Sequence, residues 1–274
     1  MNQSPARYAV VGNPIGHSKS PLIHSLFAQQ TGEAITYDAL LATAEGFEGL
    51  VGEFFREGGG GLNVTVPFKQ AAWAMCRRLT PDAARSRAAN TLEMREGELS
   101  GANTDGIGLV RDLRDNLGIE IGGRRVLLLG AGGAVRGVVP ALGEESPASI
   151  TVWNRTAERA VELARDFTGS LTAASVEELH GRQFDLIVNG TSSSLQGGLP
   201  EVDASWLASG CCCYDLVYGD EDTPFVRWAL DNGAATAADG LGMLVEQAAE
   251  SFRIWRGVAP DTGPVIRQLR SRHS

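Results

Sequence analysis

The chain has 274 residues, enough for one large domain or two ordinary ones, and enough to bury a sizeable core. Its 43% hydrophobic and 21% charged content is that of a soluble globular protein rather than a fibrous or disordered one. A formal net charge of −9 argues against nucleic acid and anionic membrane surfaces as partners, although a local basic pocket can still hold phosphates.

Met1 to Arg7 carries no apolar signal-peptide core, and no run approaches transmembrane length. Cys76 and the run Cys211-Cys212-Cys213 do not resemble a disulfide framework. Neighbours on a strand point to opposite faces, so the triple run reads as a buried strand of small side chains. No His or second Cys pair stands at ligand spacing near it, and no metal is expected. These features place the chain in a reducing compartment, the cytoplasm.

In chain order, Tyr8-Ala9-Val10-Val11-Gly12 reads as a short strand, and Asn13 to Ser20 as a loop. Pro21 suits the first turn of a helix running to about Thr31. Ser18 and Ser20 therefore precede a helix N-terminus, where an anionic group is favoured; one of them as an N-cap is the alternative. His17 and His24 lack paired ligands and are expected in loop or surface roles.

A strand near Ile35 to Leu40 and an amphipathic helix near Phe47 to Arg56 follow, and the glycines from Gly58 to Gly61 end that helix. Leu62-Asn63-Val64-Thr65-Val66 is the next strand, and the alternation of strand, helix and strand predicts a parallel α/β sheet. Asn63 and Thr65 share one face, polar where a buried parallel strand should be apolar. Pro67 ends the strand, and Phe68-Lys69-Gln70 opens a helix reaching Leu79. Lys69 thus stands at the carboxyl end of a parallel strand, where open α/β sheets place their ligands. A lysine at a helix start opposes the dipole, which favours function over a solvated surface charge.

Ala89 to Met94 and Glu98 to Ala102 flank Arg95-Glu96-Gly97 as a hairpin. In Asn103-Thr104-Asp105-Gly106, either Thr104 or Asp105 can cap a helix from Ile107 to Leu117.

Arg125 to Leu129 then ends on Gly130-Ala131-Gly132-Gly133-Ala134-Val135, the strand–turn–helix of a dinucleotide-binding unit. Gly130 would allow the tight turn, and Gly132 would let backbone approach a pyrophosphate at the helix N-terminus. Val135 stands where Gly or Ala normally permits close helix–strand packing. The next strand, Ser149 to Trp153, ends in Asn154-Arg155-Thr156, with Arg159 one turn on. An Asp or Glu that would bond a ribose 2′-hydroxyl is missing there, and a guanidinium can pair with a 2′-phosphate. Surface charges are the alternative for both arginines, but the missing acid favours NADP.

A helix from Ala157 to Phe167, a short strand near Leu171 and the strand Phe184 to Val188 continue a doubly wound pattern. Asn189-Gly190-Thr191-Ser192-Ser193 can line the cofactor or simply stabilise a turn. Cys212 to Leu216 is a strand, with Val217, Tyr218 and Gly219 on the side where ligands collect. A helix near Pro224 to Asn232 and a short strand precede Asp239-Gly240 and the long helix Leu241 to Trp255, which carries Gln247. On position alone such a glutamine is solvated.

Ser-Lys-Ser-Pro at 18–21, Asn-Val-Thr-Val-Pro-Phe-Lys at 63–69, Ala-Asn-Thr at 89–91 and Asn-Thr-Asp-Gly at 103–106 together resemble the shikimate dehydrogenase family. So do Gly-Ala-Gly-Gly-Ala at 130–134, Asn-Arg-Thr at 154–156 and Gly-Leu-Gly-Met-Leu-Val-Glu-Gln-Ala at 240–248, in the family's order along nearly the whole chain.

The resemblance implies two α/β domains. Residues 1–104 with 240–274 would form the substrate domain, and 105–239 a Rossmann-type doubly wound NADP domain, with the substrate in the groove between them. It implies reversible hydride transfer between NADPH and the 3-keto group of 3-dehydroshikimate. Lys69 would be the acid/base group, or a charged donor to the developing alkoxide, with Asp105 as its partner. Ser18 and Ser20, helped by Tyr218, would hold the carboxylate; Asn63, Thr65, Asn90, Asp105 and Gln247 would read the ring hydroxyls. Gly130, Ala131, Gly132, Gly133, Ala134, Asn154, Arg155, Thr156, Arg159, Thr191, Leu216 and Gly240 would hold NADP. Val135 departs from the small or hydroxylated residue common at its place in the family. The alternatives are a quinate/shikimate dehydrogenase of broader substrate and cofactor range, and a non-catalytic NADP-binding regulator. A monomer or homodimer is expected.

Overall fold

The computed structural model describes residues 5–194 and 197–271, and the chain divides into two compact units. Of the described residues, those up to Gly108 and those from Val245 to Ser271 form one unit, and those from Leu109 to Leu244 the other. No helix among the described residues is long and apolar enough to cross a membrane.

The first unit opens with β1 (Ala6–Gly12), α1 (Ser20–Thr31), β2 (Ile35–Leu41), α2 (Phe47–Arg56) and β3 (Gly61–Val64). β1 is parallel to both β2 and β3, with Val10 opposite Ala39 on one side and Asn63 on the other. α3 (Lys69–Met75), β4 (Arg78–Leu79) and α4 (Pro81–Ser86) lead to the hairpin β5 (Thr91–Arg95) and β6 (Glu98–Ala102). Its turn residues Glu96 and Gly97 both have positive φ, 52° and 80°, which matches the right-handed twist of paired strands. β5 runs antiparallel to β3 and β6, so the sheet, in order β2-β1-β3-β5-β6-β4, is mixed and not wholly parallel as the alternation of elements predicts. A tight turn can only reverse a strand, whereas parallel pairing needs a crossover. α3 also stops at Met75, short of the expected Leu79, because Arg78–Leu79 pairs with β6 instead.

α5 (Asp105–Arg111) carries the chain into the second unit and widens into a π-helical turn over Asp112–Asn116. Then come β7 (Arg125–Leu129), α6 (Gly133–Glu144), β8 (Ser149–Trp153), α7 (Ala157–Asp166), β9 (Thr172–Ala173), α8 (Val176–Leu179) and β10 (Phe184–Asn189). β11 (Leu207–Asp215), α9 (Pro224–Asp231) and β12 (Thr236–Ala238) complete the unit. All five pairings are parallel, in the order β12-β11-β10-β7-β8-β9, so winding reverses between β7 and β10. That reversal opens a crevice at the strands' carboxyl ends, the place where doubly wound sheets bind ligands.

Alternation along these strands feeds two cores. Val126, Leu128, Val152, Val188 and Cys212 face one, while Leu127, Leu129, Ile187, Cys211 and Cys213 face the other. The cysteine run is thus a strand buried on both faces, and all four cysteines are free.

α10 (Leu241–Arg256) and α11 (Thr262–Ser271) close the chain. In the first unit, Ala9, Val11, Leu62 and Val64 face Phe47, Phe54 and Phe68 on one side of the sheet. On the other, Tyr8 stacks on Trp255 with ring centroids 4.8 Å apart, and His24 stacks on Tyr37 at 4.1 Å. His24 is fully buried beside Phe27 and Phe252, contrary to the loop or surface role expected of it, because it lies on the inward face of α1 with Ile23 and Phe27. Fully burying each phenylalanine contributes about 1.5–3 kcal/mol, which holds the imidazole in place despite its polarity.

Candidate active site

The first unit gathers polar side chains at the carboxyl end of β3. Lys69 is the first residue of α3, and its ammonium lies 2.5 Å from Asp105 Oδ2 at the start of α5. Lys69 and Asp105 side chains are 17% and 6% exposed, so this is a largely desolvated pair with one open side. Asp105 Oδ1 accepts from Asn90 Nδ2 at 2.8 Å, and Asp105 N donates to Asn103 Oδ1 at 3.0 Å. Asn90 Nδ2 also reaches Gln247 Oε1 at 3.4 Å, so Lys69, Asn90, Asp105 and Gln247 meet in one cluster. Asn90 Oδ1 accepts from the Thr104 amide at 2.9 Å and from the Thr91 hydroxyl at 3.0 Å.

The polar face foreseen on the third strand is real but shorter, because Thr65 lies just beyond the end of β3. Asn63 Nδ2 faces Asn90 O, Thr91 Oγ1 and Ser251 Oγ at 3.0, 3.2 and 3.0 Å, and its Oδ1 accepts from Tyr37 at 2.7 Å. The amide is therefore largely occupied within the protein. Sequence reasoning missed Tyr37, Thr91 and Ser251. For Ser251 a signal existed: it stands i+4 from Gln247 and so shares its helix face.

The serine pair divides its roles. Ser18 Oγ accepts from Ser20 N at 3.3 Å, steadying the entry to α1, whose N-cap position is Lys19. Ser20 is 7% exposed and sits beside the Tyr37 phenol, whose hydroxyl donates to Asn63 Oδ1 at 2.7 Å. Burial pushes that phenol well above its ordinary value, with Ser20 pulling the other way. Burial likewise drives His24 down to about 3; Asn63 opposes this, yet neither ring nitrogen has a hydrogen-bond partner.

The second unit holds a groove of about 510 Å³ lined by Gly130, Ala131, Gly132, Asn154, Arg155, Thr156, Arg159 and Thr191, among others. Gly130 has φ +100°, and a Cβ there would press on the Gly190 carbonyl at 3.2 Å, so the turn requires glycine. Gly132 and Gly133 have open space where a Cβ would stand, and no side chain caps α6 or places an acid in its first turn. Its amides are left for an anion. Asn154 braces the turn, accepting from Ala131 N at 3.2 Å and donating to Thr156 O at 2.8 Å. Val135 fills the space that a Cβ on Gly190 would occupy, so the small residue needed for close packing sits across the groove, on the β10 side.

The Thr191 hydroxyl is engaged in its own turn, donating to Asn189 Oδ1 at 2.8 Å. Leu216 and Gly240 adjoin, since a Cβ on Gly240 would lie 2.5 Å from Leu216 O. Tyr218, also in this unit, has its phenol raised by burial. The donor set fits a dinucleotide with an extra phosphate: an uncapped helix N-terminus, an open glycine turn and two guanidinium groups, with no acid at the end of β8. Among the described residues, no group of three or more His, Cys, Asp or Glu could hold a metal ion.

Family models match three parts of the chain: the shikimate dehydrogenase substrate binding domain over residues 10–92, shikimate/quinate 5-dehydrogenase over 113–196, and the shikimate 5′-dehydrogenase C-terminal domain over 240–270. The chain is 57% identical to the NADP(+) shikimate dehydrogenase of Alkalilimnicola ehrlichii over 96% of its own length and 98% of that protein. Among solved structures it is similar to an Ael1 enzyme from Pseudomonas putida, with TM-score 0.91 and 46% identity, covering 96% of this chain and 98% of that one. It is also similar to the Thermus thermophilus shikimate 5-dehydrogenase in complex with NADP(H) and shikimate, with TM-score 0.88 and 35% identity over 98% of this chain and 100% of that one.

Proposed function

This chain belongs to the shikimate dehydrogenase family, and on that premise we propose how its own residues serve the NADPH-dependent, reversible reduction of 3-dehydroshikimate to shikimate. Bound NADPH supplies the hydride. The protein must bind the acid, orient its ketone and deliver one proton to the ketone oxygen.

The observation that carries this reading is the Lys69–Asp105 pair at 2.5 Å, walled by Asn90 and Gln247. Asp105 holds the ammonium so that a remaining N–H can face the ketone oxygen; the proton moves to that oxygen as the carbon is reduced. In the reverse direction, the amine accepts it back. Ser18 and Ser20 bind the carboxylate, while Thr65, Asn90, Asp105 and Gln247 read the hydroxyls. Asn63 acts chiefly by orienting its neighbours, since its amide is already engaged.

The glycine turn Gly130 to Ala134 would receive the pyrophosphate. Asn154, Arg155, Thr156 and Arg159 would take the adenosine 2′-phosphate, with Thr191, Leu216 and Gly240 along the remainder of the nucleotide. Residues 1–104 with 240–274 serve as the substrate domain and 105–239 as the cofactor domain. The enzyme works as a monomer or homodimer in the cytoplasm.

Mixing the protein with shikimate and NADP and following NADPH absorbance tests the proposal. Steady formation of NADPH that requires both compounds is expected. A folded protein that binds NADP but never reduces it would be a regulator instead.

A further inference from the structure

Asp215, the last residue of β11, is wholly buried, and its carboxylate accepts four hydrogen bonds. Oδ1 takes Asn189 Nδ2 at 3.0 Å and Val217 N at 3.1 Å. Oδ2 takes the hydroxyls of Ser194 and Thr223, both at 2.7 Å. Asn189 ends the neighbouring strand β10, in register with Asp215. With its amide nitrogen held by the carboxylate, Asn189 turns its oxygen toward Thr191, accepting from Thr191 N at 3.1 Å and Oγ1 at 2.8 Å. Ser194 closes the same loop from its far side.

An aspartate can only accept, so it dictates which way the Asn189 amide points. Thr191, Ser192 and Ser193, the loop held between these anchors, line the nucleotide groove. Thr223, by contrast, caps α9 by accepting from Val226 N at 3.2 Å, and it is not part of that lining.

We propose that Asp215 is a positioning residue for the nucleotide: acting through Asn189 and Ser194, its carboxylate sets the 191–193 loop against which NADP binds. This rests on the groove being the NADP site.

Titrating the protein with NADPH and following its fluorescence gives a dissociation constant without turnover. Asp215→Asn lets the Asn189 amide turn over and release Thr191, and Ser194→Ala removes the loop's second anchor. Each variant should weaken NADPH binding roughly tenfold, the scale of one charge-assisted hydrogen bond. Shikimate binding by calorimetry should not change. Should Asp215→Asn fail to fold, Ser194→Ala carries the test.

Thr223→Val is the control. It removes a bond of the same length to the same oxygen, so it should lower Tm but leave the NADPH constant within about twofold, since no groove contact is lost. An unaltered constant in Ser194→Ala would overturn the proposal. So would equal weakening in Thr223→Val, which would reduce Asp215 to general stability. If the unmutated protein itself did not bind NADPH, the assigned function would fall, and this role with it.

Discussion

Lys69 and Asp105 are 36 residues apart in sequence, yet Nζ and Oδ2 stand 2.5 Å from each other. They meet because each begins a helix, α3 and α5, at the same end of one sheet. The carboxylate's other oxygen is held by Asn90, so the ammonium has a fixed partner and few rotamers. Lys69→Ala should lower turnover by roughly 10²–10⁴-fold, the range for a positioned acid/base group. Shikimate binding should change much less. Near-normal turnover in the folded variant would make Lys69 a bystander charge.

On the proposed function, cofactor choice rests on Arg155, which lines the groove with Arg159 and follows a β8 that ends without an acid. A charge-assisted bond to a phosphate contributes about 1.5–3 kcal/mol, so Arg155→Ala should raise the Michaelis constant for NADP roughly ten- to hundredfold. The constant for NAD, which lacks the 2′-phosphate, should move far less. Equal use of the two cofactors by the unmutated protein would sink this reading.

On the proposed function, the choice of acid rests on Ser20. Shikimate's carboxylate lies near the plane of its unsaturated ring, whereas quinate's leaves the plane and adds a hydroxyl. Ser20 is nearly buried against the first turn of α1, so it has little freedom to follow a displaced carboxylate. Small misfits of this kind discriminate by about 1–3 kcal/mol. The specificity constant for shikimate should exceed that for quinate by at least about tenfold, measured with NADP at one pH. Comparable constants would show that the serine pair does not decide.

Gly190 and Val135 are complementary in volume, and a Cβ on Gly190 would overlap Val135 Cγ2. Gly190→Ala should therefore cost about 1–3 kcal/mol through overpacking, read as a lower Tm. Val135→Ala in the same chain should restore part of it, making the double variant more stable than the sum of the single changes. Simple additivity would mean that the two residues do not compete for one space.

His24 gives the fold a pH dependence. Its pKa in the folded protein falls from 6.5 to about 3 through burial, so the unfolded chain takes up the proton first. Stability should therefore be unaffected by this residue above its unfolded pKa. Below that it should fall by up to about 1.4 kcal/mol per pH unit, until the folded pKa is reached. His24→Phe fits among Phe27, Tyr37 and Phe252 without titrating. Urea unfolding between pH 6.5 and 5 should show a shallower slope in that variant; an identical slope would assign the effect elsewhere.

Most of the second unit was legible in the chain. Four apolar residues ending on Gly130, and the alternation of strand and helix after them, predict the doubly wound sheet that is found. The first sheet was read less well. The 91–102 hairpin was visible from Glu96-Gly97, but strand direction depends on which neighbour β5 joins, and that is not a local property. Val135 looked like a defect in the glycine fingerprint. It is matched instead by Gly190, which lies 55 positions away and whose smallness no local pattern explains.

The amino-acid sequence by itself determined the fold class, the glycine turn, the missing ribose-binding acid and the residue types available for the chemistry. These follow from periodicity and from backbone preferences that act over a few residues. Only the tertiary structure decided which polar groups meet: Lys69 with Asp105, Asn63 with Tyr37 and Ser251, and Asp215 with Asn189 and Ser194. It also decided that His24 is buried with no hydrogen-bond partner on either ring nitrogen. A hydrogen bond is made by whichever donor and acceptor the chain path brings within about 3 Å, and that path is set by the packing of whole elements.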